Sequence, residues 1–177
     1  MTQEQVTWFE PPDRAAYDMA RFPIWIWLDL PSFYGVPAFA GRGPKVGQDI
    51  GGRRTTTSTR TFEPDREYLA RGETFLAGHL PGTLGGPTRT KTCLYTVTPD
   101  RDFVLDRVPE APGIIVALGA AHGYKFAAIL GRLLAGLALD RERRPANARF
   151  GLFAIDRPAL TDAAPIGAAP TNLVANA

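Results

Sequence analysis

The chain has 177 residues, 45% of them apolar, which is enough to bury one or two small cores. Its formal net charge of +2 gives no reason to expect a nucleic acid or an acidic membrane surface as a partner. Two histidines and one cysteine cannot supply the usual ligands of a zinc site, so we predict no metal. The first residues have neither the basic start nor the apolar centre of a signal peptide, and no apolar run is long enough for a bilayer. We therefore expect a cytoplasmic protein.

The first 99 residues predict a sheet with one helix, which we treat as one domain. A strand ends at Trp8–Phe9, before two prolines, and aromatic and β-branched residues then favour further strands. A polar stretch at 51–61 is typical of a solvated loop, and an apolar stripe over 65–80 indicates a helix that begins after Pro64. The predicted strands after the first are 22–30, 33–39 (joined to the one before by a tight turn at Pro31-Ser32), 45–50 and 88–97, with Cys93 near the middle of the last.

Residues 100–160 predict a second domain portion with short strands and one long helix. A short strand is expected at 103–106, and the fully apolar run 114–118 is typical of a buried strand. A turn of small residues follows, and helical spacing of apolar residues then predicts a helix over 122–139. We predict a surface loop at 140–148, a last strand at 150–155 and a disordered tail from residue 161.

Two residues, Cys93 and Lys125, carry functional groups in positions that admit two interpretations. Cys93 is either a small buried apolar residue or a thiol that acts as a nucleophile or attachment point. Lys125, close after His122, lies in the first turn of the predicted helix, where the helix dipole disfavours a cation. This lysine is either solvated or shares a bound anion with the helix N-terminus.

Three further residues lie in predicted strands. Lys45 is either an edge lysine that discourages aggregation or a functional cation. Tyr34 and Tyr95 are expected to pack in a core with their hydroxyl groups at its surface, unless they line a pocket.

Several segments, taken in order, resemble the monomeric sarcosine oxidase and N-methyl-tryptophan oxidase family. The matching motifs are FYGVPAFAGRGPKVGQDIGG, KTCLYTVTPD, HGYKF at a helix start, and FAIDRPAL, and the likeness runs from about Trp8 to Leu160. Members of this family are FAD-dependent amine oxidases. The resemblance implies an α+β chain: a mixed or antiparallel substrate-domain sheet with a helix, followed by the closing strand and long helix of an FAD-binding, Rossmann-like domain.

The resemblance also implies roles for individual residues. Cys93 aligns with the cysteine that links covalently to the flavin, and Lys45 with the lysine that helps oxygen react. Tyr34 and Tyr95 align with pocket tyrosines, and Lys125 with the lysine that binds the substrate carboxylate beside the flavin. The backbone around Gly119, Ala121, His122 and Gly123 would face the flavin carbonyl that becomes negative on reduction.

The sequence departs from the family at three places. Ala120-Ala121 replace a Ser-Gly pair, Asp49 stands where the family has a histidine, and no GxGxxG motif for the FAD pyrophosphate occurs. We therefore predict that the N-terminal dinucleotide-binding half is absent, so that the chain is a C-terminal fragment, a split-gene product or a truncated gene product. A partner chain is one source that could supply the missing half.

The expected reaction of the complete system is oxidation of a secondary or N-methyl amino acid, such as sarcosine, by oxygen, which yields hydrogen peroxide. The alternatives are a non-catalytic chain, either a truncated product or a subunit that needs a partner chain for the nucleotide-binding half, and a dehydrogenase with another electron acceptor.

Overall fold

The structure of the chain, a computed structural model, describes residues 1–139 and 148–162, with the side chains of 148–150 left out. The predicted loop at 140–147 and the predicted tail from residue 163 onward lie outside the described residues. The chain divides into two compact units, Met1–Tyr95 and Thr96–Ala177, and each is described by itself.

The first unit is a six-stranded antiparallel sheet with one helix on one of its faces. The strands follow the order β2-β3-β4-β1-β5, and β6 pairs with β1 over most of its length. The elements are β1 (Thr2–Phe9), β2 (Trp25–Trp27), β3 (Phe33–Val36), β4 (Lys45–Gln48), β5 (Arg53–Arg54), α1 (Arg66–His79) and β6 (Pro87–Tyr95), with short 3-10 turns at Arg14–Tyr17 and Pro81–Thr83.

The core of this unit lies between the sheet and α1. Phe9, Phe33 and Val46, which come from three neighbouring strands, pack against Phe75 and Leu76 of the helix. The rings of Phe33 and Phe75 stack with centroids 4.3 Å apart, and Leu76 is fully buried. The helical stripe predicted for 65–80 therefore identifies the face of α1 that covers the sheet.

The strands of the first unit are shorter than predicted at several ends. Residues Trp25–Trp27 alone pair with β3, and five residues, rather than a two-residue turn, connect the two strands. The Ser32 hydroxyl donates to the Trp27 carbonyl oxygen at 2.7 Å, which closes this connection. The polar stretch 51–61 is not only a loop, because Arg53 and Arg54 pair with the start of β1.

The second unit contains an antiparallel hairpin and one longer helix. Val104 and Leu105 of the hairpin are buried, as is Leu137 of the helix, and the Arg107 guanidinium donates to the Leu137 carbonyl oxygen. Within residues 1–139 and 148–162, no helix has the length and apolar character needed to cross a membrane. The elements are β7 (Val104–Val108), β8 (Ala111–Leu118), α2 (Ala127–Leu139) and α3 (Pro158–Thr161), with 3-10 turns at Gly123–Phe126 and Ala148–Phe153.

Arg157 anchors the segment before α3. Its guanidinium donates to both carboxylate oxygens of Asp100, at 2.6 and 2.8 Å, and to the carbonyl oxygens of Asp102, Phe103 and Ala154. The ion pair holds the pKa of Asp100 well below its usual range, at about 2. A buried arginine with this many acceptors fixes the 98–103 turn and the start of α3 to each other.

Two predictions for this unit are wrong. The run 114–118 is not a buried strand: β8 pairs only with β7 within the described residues, and Ile114 is 56% exposed. An apolar run indicates burial but does not specify which neighbour covers it. The segment 150–155 forms a 3-10 turn instead of a strand, because its backbone bonds are made locally and by the Asp106 carboxylate, which accepts from the Ile155 N–H at 3.0 Å.

Candidate functional site

The sheet of the first unit has a second face, opposite α1, that carries four predicted site residues. Residues directly opposite each other in an antiparallel pair project to the same side. Tyr34 pairs with Gly47 in β4, which also holds Lys45, and Lys45 pairs with Trp8 of β1. The same strand β1 pairs with β6, where Cys93 and Tyr95 follow the same alternation. The sheet thus brings together Tyr34, Lys45, Cys93 and Tyr95 on what we call the site face.

The two tyrosines of the site face are close enough to affect each other's ionisation. Burial raises the pKa of the Tyr34 hydroxyl, and the neighbouring Tyr95 raises it further. Burial also raises the pKa of Tyr95, whereas Tyr34 acts in the opposite direction. A β-carbon on Gly47 would lie 2.9 Å from Cζ of Tyr34, so the glycine makes room for this ring.

Cys93 lies beside the tyrosine pair with a half-buried thiol. Its position directly across from Glu4 follows from the register of β1 and β6. Burial raises the pKa of the thiol, the Glu4 carboxylate raises it further, and the cations Arg60 and Lys45 lower it. Cys93 is therefore a reachable thiol that is mostly protonated at neutral pH.

Lys45 introduces positive charge on the same face. Its Nζ lies 5.7 Å from the centroid of the Trp8 ring, and Arg42 and Arg89 approach the same ring at 5.7 and 6.0 Å. These distances lie within the range of cation–π attraction. The Trp8 ring thus holds three cations at one end of the site face, where an anion would be stabilised.

Glu4 and Trp8 are residues of this face that sequence reasoning missed. One available signal was the run Gln3-Glu4-Gln5, which places three successive polar side chains in a strand. All three are buried, so each must have partners. The aromatic Trp8 is indistinguishable in sequence from a core residue, and only the register shows which face it occupies.

The predicted flavin-contacting backbone of the second unit forms a strained turn after β8. Ala120 and Ala121 have φ angles of 44° and 73°, in the left-handed region that side chains with a β-carbon disfavour. The N–H of His122 donates to the Gly119 carbonyl oxygen at 2.8 Å, so this donor is already used within the turn. A β-carbon on Gly119 would come within 3.0 Å of Gly123, which keeps the two glycines in close approach.

Lys125 follows this turn in a 3-10 segment rather than in the first α-helical turn. It is exposed, and its Nζ lies 5.5 Å from the centroid of the Phe126 ring. The His122 ring packs near Phe103, with centroids 5.1 Å apart, and its Nδ1 is buried with no hydrogen-bond partner. The turn therefore presents a free cation and a buried polar atom that still lacks a partner.

No three histidine, cysteine, aspartate or glutamate side chains among the described residues are grouped closely enough to hold a metal ion.

Residues 2–137 of the chain match the family described as FAD dependent oxidoreductase. This chain belongs to that family. The resemblance predicted from the motifs is therefore confirmed at the level of the family, whose relatives named below are oxidases.

Three characterised relatives are similar to the chain over most of its length. They are the monomeric sarcosine oxidase of Arthrobacter sp. (strain TE1826), 30% identical over 163 residues, the human peroxisomal sarcosine oxidase, 33% identical over 129 residues, and the N-methyl-L-tryptophan oxidase of Salmonella arizonae, 31% identical over 140 residues. These alignments cover 89%, 67% and 76% of this chain, but only 41%, 32% and 37% of the relatives. The chain thus spans about two fifths or less of each of these relatives.

Solved structures share the fold at lower sequence identity. Fructosamine oxidase from Aspergillus fumigatus (Amadoriase II) superposes with a TM-score of 0.70 at 16% identity, over 91% of this chain and 40% of that chain. NikD, an amino acid oxidase essential for nikkomycin biosynthesis, superposes with a TM-score of 0.65 at 24% identity, over 84% of this chain and 41% of that one. These likenesses support the arrangement of strands and helices.

Proposed function

We propose that this chain forms the substrate-binding part, and the closing part of the FAD site, of an oxidase that acts on the C–N bond of a secondary or N-methyl amino acid such as sarcosine. The observation that carries the proposal is the site face, where four residues from three separate strands meet on the side of the sheet away from its core. A core residue would project toward α1. The names of the relatives supply the reaction class, and the site face supplies the groups that such a reaction needs.

The residues present fit a flavin on two counts. The Cys93 thiol is half-buried and lies beside cations, which suits attachment to an electron-poor ring that gains negative charge. In the second unit, the buried Nδ1 of His122 has no partner and the turn at Ala120–Ala121 is strained, which is common where a backbone must approach a ligand. When bound, FAD accepts two electrons from the C–N bond of the amine and passes them to oxygen, which leaves an imine and hydrogen peroxide.

The cations have separate proposed tasks. Lys45, on the site face, stabilises the negative charge that develops as oxygen is reduced. Lys125, exposed after the turn, binds the carboxylate of the amino acid as a point charge. The N–H groups of Ala121 and Gly123 remain as proposed donors to the flavin, since the N–H of His122 is used by Gly119.

The tyrosine pair orients the substrate in this proposal. The two hydroxyl groups lie near each other on the site face, so either can bond to a substrate oxygen. Burial keeps both hydroxyl groups protonated across the physiological range. We therefore assign binding and orientation, rather than proton abstraction, to these residues.

We also propose that a partner chain supplies the nucleotide-binding half. The chain matches about two fifths of its sarcosine oxidase relatives, and its sequence has no glycine-rich turn for the FAD pyrophosphate. Binding to the flavin end alone would leave the phosphates without an anchor. Without such a partner the chain is expected to be non-catalytic.

The test is covalent flavin at Cys93, measured as fluorescence of the denatured chain on a gel. The full chain is produced alone and together with the portion of a sarcosine oxidase relative that precedes the matched region, in both cases with FAD. We expect fluorescence in the combined sample and its loss in Cys93→Ser. The attachment is contradicted if no band fluoresces in either sample, or if Cys93→Ser fluoresces as the unchanged chain does.

The oxidase assignment has its own measurement in the combined sample. Lys45→Met is expected to lower oxygen consumption with sarcosine on the order of a hundredfold, by loss of charge stabilisation, while the flavin remains bound. Tyr17→Phe, which changes a residue outside the site face, serves as the control. Full oxygen consumption by Lys45→Met would remove this lysine from the mechanism, whereas no oxygen consumption by the unchanged combined sample would favour an acceptor other than oxygen.

A further inference from the structure

Glu4 is a buried carboxylate in the middle of the first unit. Its side chain is only 1% exposed, although it lies in a strand that is otherwise filled by apolar and uncharged residues. Burying a carboxylate is costly unless donors surround it. The contacts of Glu4 must therefore show how the cost of burying its carboxylate is offset.

Both carboxylate oxygens of Glu4 accept hydrogen bonds. Oε2 accepts from the N–H groups of Gly51 and Gly52, at 3.1 and 2.9 Å. Oε1 accepts from the Thr2 hydroxyl at 2.6 Å. The Tyr68 hydroxyl lies 3.1 Å from Oε2, but its single proton is shared with the Gln48 carbonyl oxygen at 2.8 Å. Two of the three dedicated donors are backbone N–H groups that no side-chain change can remove.

Gly51 and Gly52 leave room for the carboxylate because they have no side chain. A β-carbon on Gly52 would lie 2.9 Å from Cδ of Glu4 and only 1.9 Å from the Gln3 carbonyl oxygen. A β-carbon on Gly51 would lie 2.3 Å from the side chain of Gln48. The turn between β4 and β5 can therefore close over Glu4 only because both positions lack side chains.

We propose that Glu4 is a positioning residue for the site face: its carboxylate fixes the Gly51–Gly52 turn and, from directly across the β1–β6 pair, sets the reactivity of the Cys93 thiol. Opposed residues of an antiparallel pair have β-carbons about 4.5–5.5 Å apart, which places the Glu4 carboxylate within electrostatic reach of the thiol. The inference about the thiol does not need a flavin; only its meaning for cofactor attachment rests on the proposed function.

Several groups around Cys93 act on the pKa of its thiol in opposite directions. Burial raises this pKa most and Glu4 raises it further, whereas Arg60 and Lys45 lower it. Tyr34 and Tyr95 also lie within electrostatic reach of the thiol, but both are neutral near pH 7. Among the groups that act on Cys93, Glu4 is thus the one anion that opposes the two cations.

The consequence is a Cys93 thiol that is mostly protonated at neutral pH. A protonated thiol resists oxidation and alkylation, which both proceed through the thiolate. For an intended attachment to FAD, this predicts slow loading that speeds up as pH rises. A substitution that removes the charge of Glu4 should release this restraint.

The test measures the pH dependence of alkylation of the full chain by iodoacetamide, since Cys93 is the one cysteine in the sequence and no other thiol contributes. Glu4→Gln should lower the midpoint of the pH profile by about half a unit or more and raise the rate at neutral pH roughly threefold. Glu4→Asp, which keeps the charge, should leave the midpoint close to that of the unchanged chain. Amide hydrogen exchange at Gly51 and Gly52 should be faster in both variants.

Two results would overturn the inference. One is an unchanged midpoint in folded Glu4→Gln; the other is an equal fall of the midpoint in Glu4→Asp, which would assign the effect to packing. If Glu4→Gln does not fold, folded Glu4→Asp decides: unchanged exchange at Gly51 and Gly52 would refute the positioning role. The absence of flavin from the purified chain would leave all of these measurements in place, so the two proposals fail separately.

Discussion

Ala120 and Ala121 show how much one turn can depend on single residues. Both have positive φ angles, and Ala120 is fully buried, so the surrounding residues hold the backbone in a conformation that alanine disfavours. Glycine adopts such angles without penalty. The chain thus forms this turn with a residue type that the backbone conformation disfavours.

Ala121→Gly is expected to stabilise the second unit. Removing the β-carbon relieves the left-handed strain, and the entropy of glycine offsets part of the gain, for a net increase of about 0.5–1 kcal/mol in the free energy of unfolding. Urea unfolding followed by circular dichroism measures the change. Ala135→Gly, inside α2, is the matched control and should lower stability by about 1 kcal/mol. A loss of stability in Ala121→Gly would show that the methyl group packs more than it strains.

At the residue scale, the motifs single out Cys93, Lys45, Tyr34 and Tyr95, and strand register places all four on one face. Their roles in chemistry stay predictions. The role of Glu4 was not predictable, because all of its donors except Thr2 come from residues about fifty and sixty positions away. Sequence spacing does not show which distant loop closes over a buried carboxylate.

The helix α1 is the element that gives the first unit its core. Asp65 caps it by accepting from the N–H groups of Glu67 and Tyr68, at 2.9 and 3.2 Å. The Gln5 side chain holds the cap from the other side, because its amide bonds to both the N–H and the carbonyl oxygen of Asp65. The start of the helix is thereby tied to the middle of β1.

Replacing the capping residue Asp65 should lower the stability of the first unit measurably. Asp65→Ala removes two hydrogen bonds to orphan N–H groups and is expected to lower the free energy of unfolding by about 1 kcal/mol. Glu67→Ala, in the first turn of the helix, leaves the cap in place and should lower the free energy of unfolding by less than half as much. The measurement is the urea midpoint of each variant. Equal costs for the two would assign the effect to the charge near the helix N-terminus rather than to the cap.

Predictions of secondary structure were correct where the apolar periodicity extended over many residues, and wrong where the apolar run was short. The stripe in α1 covers four turns, so its buried residues were identified from sequence alone. Residues 150–155 have the apolar content of a strand but find no strand partner in the described chain, and they turn instead. The run at 114–118 does form a strand, yet the sequence contains no signal for which element covers it.

Over the whole molecule, the stability of the two units depends on pH in different ranges. In the first unit, burial raises the pKa of Tyr34, Tyr68 and Tyr95. In the second, Arg157 lowers the pKa of Asp100 to about 2. The first unit is therefore sensitive to alkali and the second to acid.

The free energy of unfolding is expected to change in two separate pH windows. An unfolded tyrosine loses its proton near pH 10, whereas the folded tyrosines retain theirs, so stability falls as pH rises above about 10. The ionised Asp100 contributes stability that is present above a pH of about 4 and is lost as pH falls toward 2. Urea unfolding measured from pH 2 to 11 tests both windows.

Single variants separate the two contributions. Tyr34→Phe should reduce the alkaline slope by up to about 1.4 kcal/mol per pH unit, and Asp100→Asn should flatten the acid limb. Arg132→Gln, on the exposed side of α2, should change neither limb. An alkaline slope that is the same in Tyr34→Phe would mean that the Tyr34 hydroxyl titrates at its ordinary pKa in the folded chain.

The short strand β2 has a practical consequence for work with the protein. It lies at the edge of the sheet, and the side chains of Ile24, Ile26 and Leu28 around it are largely exposed, with Leu28 at 83%. An apolar edge with unpaired backbone groups is a template on which a second molecule adds its own edge. Concentrated solutions should therefore become turbid through this edge first, and a single lysine in place of Leu28 is the smallest change that would keep them clear.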